Sequence, residues 1–192
     1  MKARALLALL GLLALGRLNG AGAAVPGDLH GDFAQEKRVA GLPMPLKSRG
    51  NFALLRGHGM VWRTASPLPG TVVLGAQGVW ALDSAGTPRK LAAGGEALEL
   101  MVKLLDQDRH GLDGLFEVEQ LPADKGFHQA LVPKAPMLKK VFSRVEVWGP
   151  VSGTVAKAVL SEASGDSTVI RFSSVKAGPA ALDPKEEALL GP

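Results

Sequence analysis

Cysteine is absent from all 192 residues. That absence excludes disulfide bonds, thiolate metal sites, and attachment of a lipid through a cysteine. Aromatic residues make up only 5 %, so each large ring marks a position worth following. An excess of one charge is missing too. The formal +4 falls to +1 once Lys2, Arg4 and Arg17 of the leader-like start are set aside. The remaining basic residues do not cluster among aromatics, which leaves nucleic-acid binding without support.

Signatures of catalysis are also lacking. His30, His58, His110 and His128 are scattered, with no HxxxH or HExxH spacing, so no metal site is expected. No serine stands in GxSxG and there is no glycine-rich phosphate loop. Asp106 and Asp108 read as the polar end of a helix rather than as an acid–base pair. His58, between two glycines in RGHG, reads as a hairpin tip. The expectation is a protein without catalytic residues or cofactors, and not an enzyme.

The chain opens MKARALLALLGLLALG, a positive start followed by an apolar run that ends at Arg17. That run falls short of the roughly 20 apolar residues needed to span a bilayer. With the small-residue stretch GAGAAV after it, residues 1–24 read as an export signal cleaved after Ala23 or Ala24. Residues 25–192 are then expected to form one exported domain, long enough to bury a core of its own.

Along that domain the period of the apolar residues is mostly two. DFAQEKRV (32–39) leads into the turn region AGLPMPLKSRG, and short strands follow at 50–56, 60–64, 71–75 and 78–82. Phe52 and Leu54 alternate with Asn51 and Ala53, and Met60, Trp62 and Thr64 repeat the pattern. Between Glu96 and Asp106 the period changes: Leu98, Met101, Val102 and Leu105 fall at helical spacing. After the GLDG turn, strands are expected at 115–119 and 127–132, a helical turn at 136–140, and strands at 144–149, 153–162 and 167–175. The Ala-rich tail from Pro179 has only a weak helical pattern. The fold class is therefore mainly β: one strongly curved antiparallel sheet with helices on one side.

Apolar residues exceed what short strands need for scattered contacts: Phe33, Phe52, Leu54, Met60, Trp62, Val72, Leu74, Trp80, Leu98, Met101, Leu105, Phe116 and Phe172. Together with export and catalytic silence they point to a cavity for an acyl chain. Each methylene withdrawn from water is worth about 0.8 kcal/mol. Phe52, Leu54, Met60, Trp62, Val72, Leu74, Met101 and Leu105 are the candidate lining.

The same residues resemble the LolA-type outer-membrane lipoprotein carrier family, over about residues 32–178. The similarity runs from Phe33-Ala34-Gln35 through GLPMPLKSRGNFALLR, with its strand ending on Arg56, to Trp62, Pro67 and VVLGAQGVWAL. It continues in EALELMVKLL, FHQALVPKAPMLKKVFSRVEV and GDSTVIRF. The resemblance implies an unclosed antiparallel barrel with a helical lid over a hydrophobic cavity, LolA/LolB-like, working in the periplasm. It implies a monomer that takes an acylated lipoprotein from an inner-membrane ABC transporter to an outer-membrane receptor. Arg56 matches the arginine that this family links to lid closure and transfer. The helix before the first strand is nearly absent, and LDPKEEALLGP replaces the family's final Phe-x-Phe strand, which implies a smaller lid and different partners. A glycolipid or another envelope lipid fits the cavity as cargo. A secreted protein-interaction module, and a hydrolase with a His inside the pocket, are the readings from other classes.

Overall fold

The computed structural model of the protein describes residues 27–83, 85–91, 96–106 and 109–191. The leader-like residues 1–24 and Asp108 lie outside them, and so does the side chain of His110.

Six strands come first: β1 (Leu29–Arg38), β2 (Leu46–Leu55), β3 (Gly59–Ser66), β4 (Gly70–Gly75), β5 (Gly78–Leu82) and β6 (Pro88–Lys90). Two helices follow, α1 (Glu96–Asp106) and α2 (Arg109–Leu115). Then come β7 (Phe116–Leu121), β8 (Phe127–Pro133), α3 (Pro136–Val141), β9 (Phe142–Gly149), β10 (Lys157–Glu162), β11 (Ser167–Ala177) and α4 (Pro184–Leu190). All eleven strands join in one sheet, ordered β6-β5-β4-β3-β2-β1-β11-β10-β9-β8-β7, and every pairing is antiparallel. The two halves of the chain meet where β1 pairs with β11, and the edges β6 and β7 stay apart, so the barrel is not closed.

Partners opposite one another across antiparallel strands share a face. The registers Leu54 to Met60 to Leu74 and Phe52 to Trp62 to Val72 therefore define one face over β2, β3 and β4. On the other half, Leu131, Val145 and Leu160 continue it. This inner face carries the main core. Leu100, Met101, Leu104 and Leu105 of α1 are all buried in that cluster together with Phe33, Phe52, Leu54, Met60 and Phe172. Helical spacing from Glu96 to Asp106 thus becomes a helix laid over the inner face, as its period predicts.

Two elements differ from the sequence reading. The GLDG segment is helical, the end of α2, because Leu112 and Leu115 both turn toward the main core. The strand expected at 153–162 begins only at Lys157.

The larger difference is on the outer face. Helices were expected on one side only, yet the tail packs on the opposite side. Ala53, Val61 and Val73, all fully buried, form a second cluster with Leu190, and Leu55, Leu82, Ala180, Leu182 and Leu189 pack around it. The tail helix starts on a capping box: the Asp183 side chain accepts from the Lys185 N–H, and Glu186 accepts from the Asp183 N–H. Glu186 also receives two bonds from Arg63, Nε at 2.7 Å and Nη2 at 2.5 Å, while Arg63 Nη2 reaches the Ala181 carbonyl at 3.1 Å. A long polar contact thereby pins the tail to β3, and the apolar contact with Leu190 closes the cluster.

Gly75 permits this docking. A Cβ there would collide with the Leu189 carbonyl and the Leu190 backbone, so β4 and α4 meet backbone to backbone. Gly75→Ala should therefore lift the C-terminal helix while leaving the inner core intact. Hydrogen exchange should show lost protection in residues 184–190 and unchanged protection in β9 and β10. Uniform loss across the sheet would contradict this.

Candidate functional site

Alternation places Met60 and Trp62 of β3 inward and Val61 and Arg63 outward. One strand is thus the wall between two clusters. On the inner side four aromatic rings meet. Trp62 stacks on Phe33 with centroids 3.8 Å apart, lies 6.4 Å from Phe52, and meets Phe172 edge-on at 6.3 Å. Phe52 and Phe172 make a second edge contact at 5.4 Å.

Gly50 lies beside the Phe33–Trp62 stack in the register. It sits between Phe33 of β1 and Thr64 of β3 in the register, at a shift in the β2–β3 pairing. A Cβ at Gly50 would run into the Arg63 backbone. The bare position lets the β3 backbone lie close against β2 at this register shift.

Of the eight lining candidates, Phe52, Leu54, Met60, Met101 and Leu105 are buried in the single main cluster, and Trp62 is half-buried against it. Val72 and Leu74 share their face by register but stand beyond that cluster, half-buried on β4. Between the core under α1 and the neighbouring strand, packing therefore passes from complete to partial. Leu100 and Leu104 of α1, outside the sequence-based lining, belong to the same cluster; they continue the helical stripe of Met101 and Leu105. Trp80 faces the other way. It pairs with Val73, the outer-face residue, while Val79 points inward, so Trp80 is no part of the inner lining. Lys90 Nζ stands 5.4 Å over its ring.

Arg56 follows β2. Its Nε donates to the Gly27 carbonyl at 2.6 Å and its N–H to Asp28 Oδ1 at 3.1 Å. These two bonds tie it to the entry of β1.

Charged side chains gather on the outer face. His128 Nε2 meets Glu146 Oε2 at 2.7 Å, and Arg144 reaches both Glu146 at 3.1 Å and Glu119 at 3.2 Å. The His128 hydrogen bond is the main reason that the Glu146 carboxyl is held below the ordinary value, with Arg144 adding to it against partial burial. The His128 ring stacks on Trp148 at 4.3 Å, and Lys157 Nζ stands 4.0 Å over the same indole. His58 lies in the β2–β3 turn, its N–H donating to the Leu55 carbonyl at 3.0 Å. His58 and His128 thus belong to different halves of the sheet, and neither is on the inner wall.

The described residues thus form an unclosed eleven-stranded antiparallel sheet with α1 and α2 packed on its apolar inner face. The sequence profile of the outer membrane lipoprotein carrier protein LolA matches residues 27–185. The chain belongs to that family. No curated protein matches it in sequence. Among solved structures it is similar to a LolA superfamily protein from Nitrosomonas europaea, at 13 % identity and a TM-score of 0.47, covering 85 % of this chain and 93 % of that one. It is also similar to the MucA/MucB complex of Pseudomonas aeruginosa, at 12 % identity and 0.47, covering 88 % of this chain and 57 % of that one. A putative outer membrane lipoprotein-sorting protein domain from Vibrio parahaemolyticus gives 9 % and 0.38, covering 84 % and 90 %. The family assignment rests on the sequence match alone.

Proposed function

We propose that the protein is a periplasmic carrier that takes the acyl chains of a lipoprotein against its inner face, with α1 and α2 as the displaceable cover. The observation behind this reading is the single cluster shared by α1 and the concave wall, bordered on β4 by Val72 and Leu74. A fully buried Leu or Met side chain is worth about 1.5–3 kcal/mol and an acyl methylene about 0.8 kcal/mol. A chain of moderate length therefore repays the contacts that α1 gives up, and the exchange stays reversible, as a carrier requires. Among the described residues no helix is long and apolar enough to cross a membrane. The donor in this scheme is an inner-membrane ABC transporter and the acceptor an outer-membrane receptor. Phe52, Leu54, Met60, Trp62, Val72, Leu74, Met101 and Leu105 hold the chain.

Arg56 in this reading couples cover and cargo through its guanidinium, whose five donors suit backbone carbonyls. Arg56→Leu should keep the fold and the uptake of acylated cargo but slow handover to receptor-bearing outer-membrane vesicles. Handover at the unaltered rate would remove Arg56 from the mechanism.

Native mass spectrometry of protein purified gently from its own periplasm tests the reading as a whole. A bound mass in the lipoprotein range supports it, and a glycolipid mass would change the cargo while keeping the carrier. Protein that emerges without ligand and binds no fluorescent acyl probe would overturn it.

A further inference from the structure

The outer face holds a cleft of about 510 Å³ whose lining, apart from Phe52, lies outside the acyl-chain site. Its size is in the range of small-molecule sites. One wall is the end of the β1–β11 ladder, where the register slips between His30 and Asp32 and the chain bulges. The opposite wall is the tail at residues 179–181, held there by the Arg63–Ala181 bond. Bulges re-aim side chains and gather next to functional sites. Here the bulge is accompanied by Ser174 in the left-handed region at φ 53°, the only non-glycine among the described residues with positive φ. A backbone held in that region is strained, and such strain collects at ligand clamps.

The polar groups turned into the cleft are largely unspent. His30 Nδ1 donates to the Gly178 carbonyl at 3.3 Å, which leaves Nε2 without a bond among the described residues. Asn51 Oδ1 accepts from Arg63 Nη1 at 3.0 Å, which leaves its amide N–H groups as donors. Arg63 is committed to Glu186, so its charge is already met. Asp32 and Lys176 are different: both are exposed, both line the cleft, and neither has an ion-pair partner among the described residues. One free carboxylate and one free ammonium therefore face the same cavity. A simple anion would satisfy Lys176 and leave Asp32 uncompensated, and a simple cation would do the reverse.

We propose that this outer cleft binds a small zwitterion, its oxyanion on Lys176 and Ser174 of β11 and its primary ammonium on Asp32 of β1, with His30 and the Asn51 amide as flanking polar groups. Soluble amino acids or short peptides and the phosphoethanolamine group of a phospholipid share this chemistry. The cleft opens on the opposite side of the sheet from the apolar core and shares only Phe52 with it.

Amide NMR on the full-length mature protein reads the site directly, through residues 174–181. O-phosphoethanolamine and glycylglycine serve as zwitterions, and ethanolamine and inorganic phosphate as single-charge controls. The zwitterions should shift those amides and bind about two- to fivefold more tightly than either control, the range expected of one added exposed ion pair. Asp32→Asn should reduce zwitterion binding to the level of phosphate, and Lys176→Gln to that of ethanolamine. Both replacements are on exposed side chains, so thermal melting and acyl-probe binding should be unchanged. Vesicles containing phosphatidylethanolamine then separate the sources. Sedimentation with them that Asp32→Asn abolishes identifies a lipid headgroup, and binding of soluble zwitterions alone identifies a free one. Zwitterions that bind no better than the controls, or shifts that survive both substitutions, would overturn the proposal.

Discussion

Phe52→Ala will lower stability by about 3–5 kcal/mol, the cost of emptying a fully enclosed aromatic site, while Trp62→Ala will cost less even though it deletes a larger ring. Phe52 is 1 % exposed and touches both Trp62 and Phe172. Trp62 is half-buried at the border where the cluster gives way to Val72 and Leu74. Its removal forfeits part of a transfer term and one good aromatic stack, together about 1–3 kcal/mol. In a domain whose whole stability is about 5–15 kcal/mol, the first variant is severely weakened and the second still folds. Acyl-probe binding should follow the opposite order once stability is accounted for. Trp62→Ala should lose most of its binding while folded, because in the proposed carrier the indole lines the chain's site at the partly packed border of the cluster. Urea melts paired with probe titration decide the matter. Severe destabilisation by Trp62→Ala with normal probe binding would make Trp62 a packing residue only.

The second large effect lies on the outside of the same strand. Arg63→Leu keeps apolar bulk over β3 but strands the Glu186 carboxylate, whose side chain is 5 % exposed. Removing one partner of a buried ion pair costs about 3–5 kcal/mol. Because Arg63 is itself 25 % exposed, the loss should fall near the lower figure, and it should appear first in α4. The pair also makes the tail sensitive to acid. Burial alone would raise the Glu186 pKa, but the hydrogen bonds from Arg63 and from the Asp183 N–H, with the Arg63 charge, outweigh it, and the carboxyl lies below its ordinary 4.5. A group depressed in the folded state contributes stability that is complete above its unfolded pKa and is lost as pH falls through the folded one. Tail protection should therefore hold at neutral pH and decline below about pH 4.5 in the parent protein. In Glu186→Gln that acid-dependent step should disappear. A tail whose exchange rate ignores both substitutions would show that the apolar contact of Leu190 holds it alone.

What the sequence makes legible here follows from pattern length. The alternation in β2 and β3 and the helical period of α1 extend over enough residues to be read, and they place Phe52, Leu54, Met60, Trp62, Met101 and Leu105 in one cluster. β6 is three exposed residues long, too short to carry a period. α2 contains two glycines, so its composition argues for a turn and only packing of Leu112 makes it a helix. The outer cluster had a signal of its own. VVL in β4 and FALL in β2 are continuous apolar runs, the mark of strands buried on both faces rather than one. Asp183 followed three residues later by Glu186 is likewise a helix-start signature, and a Pro stands between them at the first helical position. Neither signal says which sheet face the tail will cover; that depends on Gly75 and Arg63, far away in sequence. The outer cleft was illegible for the same reason, since it forms at a register slip between β1 and β11, where His30 also bonds Gly178, 148 positions away.

The account depends on α1 leaving the inner wall when an acyl chain arrives. The cysteine-free chain allows that movement to be measured without background labelling. Spin labels at Glu99→Cys on the exposed side of α1 and Glu117→Cys on the outer face of β7 report the distance between cover and sheet, and pulsed dipolar spectroscopy reads it with increasing amounts of triacylated lipoprotein. The prediction is a single short distance in the empty protein and a second, longer one that grows in proportion to bound cargo. Cargo bound at saturation with the distance unchanged would contradict the account.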